Sequence, residues 1–238
     1  MIKSYAKTYK ALAVKNSSIK EAEVSVACEK AVELFVNNKH LVSILTTPNL
    51  LGELTLGFLV CEGVVKSLED IISIDVEDSR IMATIKEKEQ SKPASSHQDI
   101  RIACDTIFER QVILDSVKYL ESEAYYSTRG THAACIVNKQ GECKKRLADV
   151  GRHNAIDKVV GYALHEHLDL CTHFLLSTGR QSISMVLKAV RAGIPLIVTN
   201  TAPLDSGIDA ADQYNICLVC FAEPDYMLIT THPERIKI

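Results

Sequence analysis

From Thr172 to Asn200 the chain runs through THFLLST, then QSISMVLKAVRA, then Gly193 and PLIVTN. An apolar β run, a helical run stopped by glycine and a second β run make a β-α-β unit, and this constrains the chain more than any other stretch. Such strands share one sheet and need helices to cover its faces. The flanking segments extend the pattern. A helix is expected over ERQVILDSVKYLES, strands over HAACIV and CKKRLAD around a turn at Gln140-Gly141, and a helix from about Asn154 to Leu168. After the unit come a helix in DSGIDAADQYN and strands over ICLVCFAE and YMLITTH. Strands alternating with helices predict a three-layer α/β/α core with a partly parallel sheet.

The first part of the chain reads differently. AVELFVNN and HLVSILTT are β runs around Asn37-Asn38-Lys39, a hairpin turn, and IISIDVED and RIMATIKEK form a second hairpin through Asp78-Ser79. Between them Thr47 and Pro48 suit a cap and first helical position for LLGELTLGFLVCEG, with Gly63 as its stop. The segment EQSKPASSHQD has no apolar period and is the expected linker. The division is therefore 1–95, a small α+β region, and 96–238, the α/β/α domain. With 47% hydrophobic residues, both parts can bury a core.

A formal charge of -3 gives no general reason to expect nucleic acid or an anionic membrane as partner, so any anion site must be local. The longest apolar stretch, LTLGFLVC between Glu53 and Glu62, is too short to span a bilayer, and the lysine-bearing N-terminus has no signal-peptide h-region. A cytoplasmic protein is expected. The eight cysteines lack a disulfide framework. Cys217 and Cys220 form the one CxxC, but on a strand they face opposite sides and lie too far apart for a redox or zinc pair. HExxH is absent, as is the HxE and PCxxC set of zinc deaminases, so no metal site is expected.

Three loops carry polar residues that chemistry could use. ADVGRHNAIDK crowds Gly151, Arg152, His153, Asn154, Asp157 and Lys158 where a strand gives way to a helix, a place suited to binding phosphate. The alternative reading there is a capped helix with a charged first turn. The stretch from Ser177 through Gly179 and Arg180 to Ser182 repeats the strand-to-helix logic, although it lacks the spacing of a P-loop. A third cluster puts Thr131 and His132 just before a strand. Together these suit a pocket for a phosphorylated heterocycle.

Read in order, these loops resemble the formate dehydrogenase accessory sulfurtransferase family, FdhD. The resemblance rests on DVGRHNAIDK at 149–158, on the STGRQ, AGIP and AP segment, on THAAC, and on TTPNLLGELTLGFLVCEGVV in the first half. It implies a cytidine-deaminase-like core without the deaminase zinc, commonly assembled as a homodimer. It also implies sulfur transfer, as a persulfide, from a cysteine desulfurase to the molybdenum or tungsten of a bis(molybdopterin guanine dinucleotide) cofactor destined for formate dehydrogenase. On this reading Arg152, Lys158 and Arg180 hold phosphates, and His153 and Asn154 orient the ligand or the thiol.

The chain departs from the family where sulfur is carried. The family has a glycine-flanked CxxC, whereas here HQDIRIACDTIFERQV offers one cysteine, Cys104, and Arg101 as the only near cation. One thiol can still accept and donate a sulfane sulfur, so Cys104 is the catalytic expectation. The alternatives are a cofactor-binding chaperone that has lost sulfur transfer and, for want of a visible nucleophile or metal more remotely, a hydrolase on the same core.

Overall fold

Turn chemistry fixes the hairpins of the first region. In a computed structural model describing residues 5–86 and 101–238, Asn37 and Asn38 both take positive φ, 48° and 65°. That geometry joins β3 (Lys30–Val36) to an antiparallel β4 (Lys39–Thr46). Asp78, at φ 50°, does the same between β5 (Ile71–Glu77) and β6 (Arg80–Ile85). The four strands form one sheet in the order β4-β3-β6-β5. The expected linker at 89–99 and the boundary at 95/96 lie outside the described residues.

Helix α1 (Leu51–Cys61) starts later than its sequence suggests. Leu50, at φ 52°, precedes it, and Thr47 serves another partner described below. Its end is as expected, with Gly63 at φ 72° donating to Val60 O. One side of α1 packs Leu54 and Leu59 against Val32, Leu34 and Ile81 of the four-stranded sheet. The other side meets α4 (Arg152–His165) so closely that a Cβ at Gly57 would stand 1.8 Å from Asp157 O, and one at Gly161 1.9 Å from Glu53 O. Two glycines therefore let the two regions meet backbone to backbone.

The larger sheet has six strands in the order β13-β12-β11-β10-β8-β9: β8 (His132–Asn138), β9 (Cys143–Asp149), β10 (His173–Ser177), β11 (Leu196–Thr199), β12 (Cys217–Cys220) and β13 (Leu228–Thr231). β10, β11 and β12 run parallel and the remaining neighbours antiparallel, which is the partly parallel sheet expected. Period-two alternation splits the strands between two cores. Leu175, Ile197 and Leu218 pack under α4, α5 (Ile183–Ala192) and α6 (Asp205–Gln213). Phe174, Leu176, Val198 and Val219 pack on the other face with Phe108, Ile113 and Leu120. Phe108 belongs to β7 (Phe108–Glu109), which pairs with β14 (Ile236–Lys237), and Ile113 to α2 (Arg110–Ser116).

Two segments differ from expectation. EAYYST, to which the sequence reading assigns no element, is the short α3 (Glu123–Thr128), closed by Arg129 at φ 55°. The lysine-bearing N-terminus is a hairpin, β1 (Ala6–Lys15) paired to β2 (Ser18–Ala27) through Asn16 at φ 55°. This hairpin stands away from the cores and exposes Leu12, Val14 and Ile19 at 67–69%. Among the described residues no helix is long and apolar enough to cross a membrane.

Candidate functional site

Sheet direction sorts the chemistry. The carboxyl ends of β9, β10 and β11, the amino end of β8 and the amino ends of α4 and α5 all lie at one end of the large sheet. In sheets of this kind ligands bind beyond the carboxyl ends of the parallel strands. Thr131, His132, Gly151, Arg152, Ser177, Gly179, Arg180 and Ser182 belong to these segments, so the structure does bring the expected loops together.

At this polar end the turn after β10 is held in shape by its neighbours. Ser177 Oγ accepts from Gly179 N at 3.1 Å, and Gly179 O accepts from Gln181 Nε2 at 2.7 Å and Thr199 Oγ1 at 3.0 Å. Ser177 is therefore spent on the turn. Gly179 leaves room for Arg152, whose Cβ would stand 3.0 Å from any side chain there. His132 Nδ1 lies 3.2 Å from Thr178 Oγ1, which also accepts from Ala133 N. Burial, and then the Arg152 charge, hold His132 below the ordinary histidine range. Burial, then Lys188 and Arg152, bring His153 down to about 4. Both rings are thus neutral at pH 7.

Three buried polar atoms here have no partner: Thr131 Oγ1, Arg152 Nε and Gln181 Oε1. Such atoms are costly unless a ligand or water satisfies them. Neither Gly151 nor Ser182 is joined by a side-chain cap, so the first N–H groups of α4 and α5 are not covered from that source. Arg180 is exposed beside them. The arrangement offers two helix amino ends, two guanidinium groups and a hydroxyl, all suited to an anion. It is an open shelf. Two concavities lie elsewhere, one along Lys10–Leu12 and Glu21–Glu23 of the hairpin and one around Arg110 and Tyr226.

In the rest of the GRHNAIDK segment the side chains of Asn154, Asp157 and Lys158 turn inward onto partners within the protein. Lys158, fully buried, donates to Thr47 O at 2.8 Å, Asn49 Oδ1 at 2.9 Å and Asp149 Oδ2 at 2.7 Å. Three donors on three internal acceptors leave none for a phosphate. Asn154 Nδ2 is spent on Leu45 O and Asp149 Oδ1, so it orients backbone and not ligand. Asp157 binds Lys188 at 2.8 and 3.0 Å, and Lys188 also reaches Glu62 at 2.6 Å. Gly151 is small because Asn154 Nδ2 would stand 2.8 Å from a Cβ. Asp149 accepts in addition from Thr46 Oγ1 and Thr47 N, and Thr47 Oγ1 accepts from Val150 N at 3.2 Å, so it does not cap α1. Burial pushes Asp157 up to about 6, while its carboxylate outweighs the burial of Lys188 and keeps that ammonium charged.

Cys104 is not with these residues. Arg235 Nη1 donates to Cys104 O at 2.6 Å, and the flanking Ile102 is held by Tyr214 O and Asn215 Nδ2. All these lie at the opposite end of the sheet, where β10 begins. The five residues of β10, at about 3.3 Å each, put roughly 16 Å of strand between the two ends. The partly exposed Cys104 thiol acts on that of Cys171, also partly exposed, on a 3-10 turn (Leu170–Thr172) that leads into β10 at the same end. The cation beside Cys104 is Arg235, not Arg101, which binds Gln213 O. Arg235 and Cys171 stand 131 and 67 positions away in the chain, so no local pattern could reveal them.

Cys217 and Cys220 fall on opposite faces of β12, as their spacing requires, and burial pushes both thiols up to about 12. Among the described residues no group of three or more His, Cys, Asp or Glu could hold a metal ion.

Comparison with known proteins bears on both ends. Residues 27–237 match the FdhD/NarQ family. The chain is 32% identical to the sulfur carrier protein FdhD of Sulfolobus acidocaldarius, over 94% of this chain and 98% of that one. It is 29% identical to the protein of the same name from Shouchella clausii, over 90% of each. A crystal structure from Desulfotalea psychrophila, described as a candidate formate dehydrogenase accessory protein, superposes with a TM-score of 0.86 at 27% identity. That superposition covers 98% of this chain and 100% of the other.

Proposed function

The chain belongs to the FdhD/NarQ family, and on that premise we propose that it carries sulfur for the maturation of formate dehydrogenase. Cys104 takes a sulfane sulfur from a cysteine desulfurase, and the polar end binds the guanine dinucleotide cofactor whose molybdenum or tungsten receives it. The Cys104 thiolate attacks the outer sulfur of the desulfurase persulfide. The Cys104 Sγ–S bond forms, the donor S–S bond breaks, and the donor cysteine leaves as thiolate. The observation that carries the binding half is the trio of unpartnered buried atoms on Thr131, Arg152 and Gln181. Arg152 and Thr131 supply donors for phosphate oxygens, and the Gln181 carbonyl supplies an acceptor for a base N–H. Arg180 and the amino ends of α4 and α5 add positive potential. The cofactor is cargo on this reading, and the protein works in the cytoplasm.

Homodimeric assembly goes with this proposal, since the β1–β2 hairpin exposes apolar side chains that a second copy would cover. Sedimentation of the full chain reads the assembly directly.

A second reading, a cofactor-binding chaperone without sulfur transfer, is favoured by the separation of Cys104 from the polar end. Intact-mass measurement after incubation with a desulfurase and cysteine distinguishes the two. A gain of about 32 Da, mapped to Cys104 and reversed by reductant, supports the carrier. No gain on any cysteine, together with guanosine diphosphate binding, supports the chaperone.

A further inference from the structure

We infer that Cys171 is the second thiol of the sulfur site, standing in space beside Cys104 where a CxxC would place its partner in sequence. The inference deepens the carrier reading and rests on it.

Three observations converge. Both side chains are partly exposed, unlike the buried Cys61, Cys135, Cys217 and Cys220. The two thiols influence one another electrostatically although their residues come from separate segments that meet at the same end of the sheet. Each segment is tied in place: Arg235 holds Cys104 O, and Asp169 Oδ1 accepts from Cys171 N at 3.1 Å. Arg235 is itself a built feature of the site. It is 95% buried, its Nε has no partner, and its charge acts on the Cys171 sulfur. A buried guanidinium with a free donor beside two thiols suits a sulfur anion.

The chemistry follows from this pairing. Burial, and then the Cys104 sulfur, push the Cys171 thiol up to about 12, so Cys171 rests as a thiol while Cys104 takes up the sulfur. Once Cys104 carries a persulfide, its Sγ is bonded to a second sulfur and is open to attack by a thiolate. The Cys171 thiolate then attacks the inner sulfur, Cys104 Sγ. A Cys104–Cys171 disulfide forms, the Sγ–S bond breaks, and the outer sulfur leaves as hydrosulfide with the electron pair, while the Cys171 proton passes to solvent. The sulfane sulfur is reduced to sulfide as two thiols are oxidised to a disulfide. A dithiol reductant restores the pair.

The test uses the full-length reduced protein, with inorganic tetrasulfide as sulfur donor and removal of excess donor before measurement. The parent gains about 32 Da on Cys104, then releases about one equivalent of sulfide as a Cys104–Cys171 disulfide appears. In Cys171→Ser the persulfide persists and sulfide release slows at least roughly tenfold in the absence of added thiol. Release from Cys171→Ser at the parental rate, or a Cys104 disulfide to any other cysteine, overturns the inference. Equilibration with dithiothreitol redox mixtures tests the pair without a sulfur donor, and a Cys104–Cys171 disulfide is expected there too. If that disulfide forms but Cys104 takes up no sulfur, the carrier reading fails and the pair stands. If Cys104 takes up sulfur but the disulfide forms under neither condition, the carrier reading stands and the inference fails.

Discussion

The two ends of the six-stranded sheet differ in how they are built. The polar end is assembled from strand termini, two helix amino ends and the turn after β10, and several of its polar atoms wait unsatisfied. The opposite end holds the partly exposed thiols, Cys104 and Cys171, around the buried Arg235. The proposed function assigns anion binding to the first end and sulfur exchange to the second. On the proposed reading the chain holds its cargo at one end and takes up sulfur at the other, about one strand length apart.

Behind the polar end stands the buried set formed by Asp149, Asn154 and Lys158, tied to Thr46 and Thr47 of the first region. If this set is a structural pillar, disturbing it must damage both ends together. Lys158→Met leaves the buried Asp149 carboxylate without its counter-charge and should destabilise the fold by about 3–5 kcal/mol. Chemical denaturation measures it. A Lys158→Met protein of parental stability that lost only nucleotide binding would return Lys158 to the ligand and break the comparison.

Arg152→Ala should act on one end alone. Loss of a charged donor to a phosphate weakens guanosine diphosphate binding by about 1.5–3 kcal/mol, or roughly 10- to 150-fold, by calorimetry. Sulfur loading of Cys104 in the same variant should match the parent.

The contrast between what the sequence displays and what it conceals follows the same geography. Turn residues such as Asn37-Asn38, Asp78 and Gly193 act locally, so the hairpins and the β-α-β unit are legible from neighbouring residues. The loops of the polar end are legible too, because a strand-to-helix junction carries its own signature. Burial is not. GRHNAIDK reads as one charged motif, yet Arg152 stays at the polar end while Asn154 and Lys158 turn toward β4 and the link that follows it, about a hundred positions earlier, and Asp157 toward Lys188 of α5. The N-terminal hairpin escapes notice because its scattered lysines mask the alternation that its strand pairing reveals. The thiol pair is hidden for a plainer reason: Cys104 and Cys171 meet only through the fold.

A smaller effect sharpens the electrostatics of the polar end. His153 is held down to about 4, below its ordinary value near 6.5. The stability that depends on its neutral ring is therefore complete above that ordinary value and is lost as pH falls through the window toward about 4. Because Arg152 contributes to holding down both His132 and His153, a bound anion that neutralises Arg152 should move both titrations upward, read by proton NMR. Midpoints unaffected by guanosine diphosphate would place the anion away from Arg152.

The separation of the two ends is tested most directly by the rate at which iodoacetamide alkylates Cys104, with and without saturating guanosine diphosphate, followed by peptide mass spectrometry. Two independent ends predict the same rate in both conditions, and an alkylated protein that binds the nucleotide as tightly as the untreated one. Protection of Cys104 by the nucleotide, or loss of nucleotide binding on alkylation, would contradict the account and join the thiol to the ligand site.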